Sequence, residues 1–99
     1  MPVKLRIRFV RAAESELYGS ADRYNDERAG RGDDFLRFVR AAVEEIAEAP
    51  GRWPRGPHAH KRVLSRFPFT IHYRFDAREI VIMAVSHQKR RPGYWSRRR

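Results

Sequence analysis

An α+β fold follows from three features of the sequence: an alternating strand at the start, two helical stripes in the middle, and a run of strands after a proline-rich break. Residues 3–9 put Val3, Leu5, Ile7 and Phe9 on one side and Lys4, Arg6 and Arg8 on the other, the period of a half-buried strand. From about residue 12 to 28, Ala13, Leu17, Ala21 and Tyr24 recur three or four apart, which predicts a helix. Gly30 and Gly32 then let the chain turn back.

The second helix carries the longest stripe, Phe35, Phe38, Val39, Ala42, Val43 and Ile46, with Asp33 or Asp34 expected as its cap. Pro50-Gly51 ends it. The stretch through Pro57, around Trp53, reads as a loop leading to the sheet. Residues 61–66 are expected to form a short strand, and Phe69, Ile71, Tyr73 and Phe75 alternate with Thr70, His72 and Arg74 in a clear one. Residues 79–86 are almost wholly apolar, as in a central strand covered on both faces. The expected order is βααβββ: an N-terminal strand and a helical hairpin packed on a small, mostly antiparallel sheet, in one domain over residues 1–99 with a basic tail at 88–99. On the sheet face away from the helices, Lys4, Arg6, Arg8, Thr70, His72 and Arg74 would lie together, with His72 open to solvent.

Charge is unevenly distributed. Residues 1–50 hold 9 Lys/Arg against 10 Asp/Glu, and residues 51–99 hold 13 against 2, so the net charge of +10 belongs to the second half. That asymmetry points to an anionic partner: nucleic acid, an enzyme bound to it, or an acidic protein. With no cysteine, disulfides and thiol nucleophiles are excluded, which fits the cytoplasm. The longest apolar run, Ile80 to Val85, is far short of the roughly twenty residues of a membrane span.

Phe67-Pro68-Phe69-Thr70-Ile71-His72-Tyr73, followed by Ala84-Val85-Ser86-His87 and Arg91-Pro92-Gly93-Tyr94-Trp95, resembles the RelE/ParE toxin family, ParE branch. Glu16-Leu17 and Tyr24 in the first helix, and residues 35–50 in the second, agree with it. The resemblance implies the toxin of a type II toxin–antitoxin pair, neutralised by an acidic antitoxin that folds as it binds. It further implies inhibition of DNA gyrase by binding, with ribosome-dependent cleavage of messenger RNA, the activity of the RelE branch, as the alternative.

Cleavage through the 2′-hydroxyl needs a base, a cation for the phosphorane and an acid, and His72, Arg74 and His87 are the residues available, with Arg62, Arg66 and Tyr94 as further basic and aromatic groups. For binding to target or antitoxin the sequence offers Lys4, Arg6, Arg8, Arg62, Arg66, Arg74, Lys89, Arg90, Arg91, Tyr94 and Trp95. Each has a plainer reading as well. Arg62 and Arg66 suit ion pairs with Glu44, Glu45 or Glu48, Tyr94 and Trp95 suit packing on the core, and Glu14, Glu16, Glu44, Glu45 and Glu48 read as solvated helix surface rather than an acid/base pair. His58 and His60 are two apart without a third ligand, so no metal is expected, and with no glycine-rich loop after a strand no nucleotide cofactor is expected.

Overall fold

The computed structural model describes residues 5–99, so Lys4 lies outside the described residues. Strand β1 (Arg6–Phe9), helices α1 (Arg11–Glu27) and α2 (Arg31–Glu48), and strands β2 (His60–Val63), β3 (Phe69–Phe75) and β4 (Glu79–His87) follow in the expected order. The four strands form one sheet in the order β1-β4-β3-β2, in which β1 runs parallel to β4 and the other pairs are antiparallel. β2 ends at Val63, short of the expected 66, because Leu64 N–H turns to Phe69 O and closes the β2–β3 connection.

Central position explains the composition of β4. Its register against β3 pairs Tyr73 with Ile82 and His72 with Ala84, leaving Met83 as an extra residue in a bulge. Before the bulge, Ile80 and Ile82 share the helix side with Ile7 and Phe9; beyond it, Val85 and His87 take over. Residues of both faces are therefore buried along one strand. An aromatic group fills the space under the hairpin, with the Phe35 ring 5.2 Å from Phe67 and 4.9 Å from Phe69, and Tyr24 5.3 Å from Phe35. Edge-on and tilted aromatic pairs of this kind add to what their burial contributes.

The hairpin corner differs from expectation. Neither Asp33 nor Asp34 caps α2; its N-cap is Gly30, in the left-handed region at φ 89°. The capping oxygen comes from α1, where Asn25 Oδ1 accepts the N–H groups of Gly30 and Gly32 at 3.1 and 2.8 Å. The two aspartates lie in the first turn, where they still complement the helix dipole. Gly32 is packed so closely that a Cβ would fall 2.0 Å from Ala21 O.

The proline-rich connection to β2 is ordered by the sheet. Tyr73, fully buried, donates its hydroxyl proton to Pro50 O, His60 Nδ1 lies 2.8 Å from Trp53 O, and Lys61 N–H donates to Pro54 O. Among the described residues no helix is long and apolar enough to cross a membrane.

Candidate functional site

The sheet face away from the helices carries the site. Alternation puts Lys61 and Val63 of β2, Thr70, His72 and Arg74 of β3, and Ala84 and Ser86 of β4 on that side. The chain after β4 folds back across it. Trp95, 5% exposed, stacks on the His72 ring with centroids 4.4 Å apart. His72 is thus covered, contrary to the expectation that it faces solvent. Burial, with the Lys61 ammonium second, lowers its pKa to about 4, and the Glu16 carboxylate offsets this only in part. At neutral pH its imidazole is uncharged.

Arg74 is committed to holding this cover in place. Its Nε donates to His58 O at 2.8 Å and its Nη2 to Ser96 O at 3.0 Å, tying the proline-rich loop and the tail to β3. At the end of β4, His87 Nδ1 accepts the Lys89 N–H at 3.1 Å, which leaves the ring proton of the neutral form on Nε2. The three residues considered for nuclease chemistry therefore do not converge as free groups.

A second cluster lies where β4 runs on past β1, whose pairing stops at Ile82. The backbone groups left open there meet side chains: Val85 N–H donates to Glu16 Oε1 at 3.1 Å, and Arg98 Nη1 donates to Met83 O at 3.2 Å. Glu16 and Arg98 pair with each other at 2.7 Å, their side chains only 15% and 21% exposed, and Tyr94 donates its hydroxyl proton to Glu16 Oε2. Burial and then the bond to Glu16 raise the Tyr94 hydroxyl above its ordinary pKa, which keeps it a donor; the same carboxylate raises Arg98 further. Reading Glu16 as solvated surface thus missed its buried pairing. Its spacing carried a signal, since Ala13, Glu16, Leu17 and Ser20 recur at three and four and set the carboxylate on the flank of the buried stripe.

The remaining basic residues are dispersed. Arg6 lies with Asp76, Arg78 and Glu79 at the β3–β4 turn, and Arg8 binds Glu79 at 3.3 Å. Arg62 turns to α2, donating to Ala42 O at 3.0 Å and to Glu45 at 2.6 Å beneath the Trp53 ring, the structural alternative weighed for it. Arg66 is exposed in the turn before Phe67. Arg90 lies over the Tyr94 ring, 3.9 Å from its centroid, while Lys89 and Arg91 are exposed. Between the tail and β2 opens a cleft of about 500 Å³ whose walls include Lys61, Thr70, His72, His87, Arg90 and Arg91.

Residues 7–92 match the family model described as the ParE toxin of the type II toxin–antitoxin system parDE. The chain belongs to the ParE toxin family. Among solved structures, this ParE-family fold is similar to a chain of the chromosomal ParDE toxin–antitoxin system from P. aeruginosa, with a TM-score of 0.75 and 18% identity over 85% of this chain and 96% of that one. A sequence search of curated proteins gives no significant match. The ParE match takes in the hairpin, all of the sheet but Arg6, and the start of the tail, while the segment from Gly93 to Arg99, with Tyr94, Trp95 and Arg98, follows it.

Proposed function

We propose that this chain is the toxin of an antitoxin-paired module and that it inhibits DNA gyrase by binding. The observation that carries binding over catalysis is the engagement of the would-be catalytic groups: His72 is neutral beneath Trp95, and Arg74 is spent on two main-chain carbonyls. A base for the 2′-hydroxyl must reach its proton, and a phosphorane needs a free cation beside it. Here the base is covered by Trp95, and Arg74, the cation two residues along the same strand face, is already bonded. The antitoxin would be acidic, drawn to a chain whose excess positive charge sits in residues 51–99.

The test is a parallel assay of the purified protein in gyrase supercoiling and in a translating extract with message ends mapped. Loss of supercoiling with intact message is expected. Codon-positioned cleavage with normal supercoiling would replace this reading with the nuclease one.

A further inference from the structure

The cleft between β2 and the tail has a chemistry of its own. Among the described residues that line it there is no carboxylate, while Lys61, Arg90 and Arg91 supply formal positive charge and His58 and His87 add ring nitrogens. Hydroxyl groups of Thr70 and Ser86 lie on its floor, on the same face of neighbouring strands. The two acids of the second half, Asp76 and Glu79, are at the opposite end of β4, roughly 26 Å from His87 at the rise of a strand. At the nearer end of the cleft, where His72 pairs with Ala84, the separation is still about 16 Å along the strand, roughly two Debye lengths at physiological salt, so their charge is largely screened there. Nearer acids are neutralised, Glu16 by Arg98 and Glu45 by Arg62.

The three cations remain available to a ligand. Lys61 and Arg91 are exposed, and Arg90 uses the face of its guanidinium on Tyr94, which leaves the edge with its N–H groups free to donate. Exposed Arg97 and Arg99 extend the positive charge along the tail. The volume far exceeds that of one small anion and suits a length of charged chain. The cleft carries apolar groups beside its cations, exposed Val63 with Pro57, Pro92 and Trp95, and a second, separate apolar groove of about 220 Å³ lies among Ile7, Leu17, Tyr18 and Leu36 on the helix side.

From this arrangement we infer that the cleft grips the phosphate backbone of DNA, with Lys61, Arg90 and Arg91 as the contacts. The inference deepens the gyrase reading: the inhibitor would hold DNA as well as the enzyme that works on it. Contact with phosphates positions a protein without reading sequence, so no base preference is expected.

The experiment measures binding of a fluorescent duplex DNA to the full chain across a salt series, without gyrase. The triple variant Lys61→Gln/Arg90→Gln/Arg91→Gln is compared with Arg11→Gln/Arg28→Gln/Arg37→Gln, which removes equal charge from the exposed helix surface; matching circular dichroism and melting curves establish that both fold. The cleft variant should bind at least tenfold more weakly at low salt and lose about 2.7 from the log–log salt slope, the contribution of three phosphates, while the helix variant stays near the parent. Equal losses in the two variants would overturn the inference, as would displacement of DNA by polyglutamate at equal charge concentration, or binding confined to RNA. Supercoiling inhibition is scored separately, so a gyrase inhibitor that fails to bind DNA refutes the cleft assignment alone, and a DNA binder that spares gyrase refutes the gyrase reading alone.

Discussion

Glu16 gathers more bonds than any other side chain near the tail: it receives a guanidinium, a phenol proton and a backbone N–H. Replacing it with alanine strands all three donors at a mostly buried spot, and breaking such a pair from one side is the costly way to break it. Glu16→Ala should lower unfolding free energy by about 2–4 kcal/mol in urea titration, and Glu16→Gln by less, since its amide oxygen still accepts the Val85 N–H. Equal stability of parent and Glu16→Ala would show the cluster to be dispensable. His72 makes a different, pH-dependent demand. Its pKa is about 4 in the fold, below the ordinary 6.5, so between these values the unfolded chain binds more protons than the folded one. Its contribution is complete above pH 6.5 and is lost as pH falls toward 4. His72→Phe keeps an aromatic partner for Trp95 and removes the titration. Melting curves of the two proteins should therefore diverge in favour of the variant as pH drops through that window, and a constant gap would contradict the covered, neutral state of His72.

At the scale of elements, the hairpin corner is the least forgiving joint. α1 and α2 approach so closely that Gly32 has carbonyl oxygen and the Asn25 side chain where a methyl group would go. Gly32→Ala must push the helices apart or unwind the first turn of α2. A loss of about 3 kcal/mol or more in thermal or denaturant unfolding is expected, at the upper end of single substitutions, and a change under about 0.5 kcal/mol would mean that the corner yields freely. Sequence reading found the elements because their periodicities are strong: the α2 stripe and the β3 alternation each set a buried face. It misplaced the α2 cap because the capping oxygen is supplied from another helix, and a search within a few residues of the cap cannot see Asn25. The sequence marks the tail as basic and aromatic, and packing on the core is one reading of it. What stayed hidden was the surface it packs on, since the stacking of Trp95 on His72 joins residues whose nearness depends on the finished sheet.

For the whole molecule, the charge imbalance and the family were legible in the sequence, whereas the distribution of basic residues over the site was not. Alternation predicted one continuous basic face, but Arg8 is paired with Glu79 and Arg74 lies under the tail, while exposed Lys61, Arg90 and Arg91 are grouped around the cleft. Such a concentrated field steers oppositely charged partners. Association with an acidic antitoxin peptide should slow by at least tenfold between low and physiological-to-high salt while dissociation changes little, as stopped-flow mixing would reveal. A salt-independent association rate would remove the field from the account. The sheet order has a consequence in time. β1 is synthesised first, yet its neighbour in the sheet is β4, made after both helices and the other two strands. A nascent chain therefore carries an unzipped first strand, and helices with their apolar stripes uncovered, until β4 emerges from the ribosome. Contacts this distant in sequence form slowly. A binding partner already present in the cell would meet the chain during that interval, before the sheet has closed.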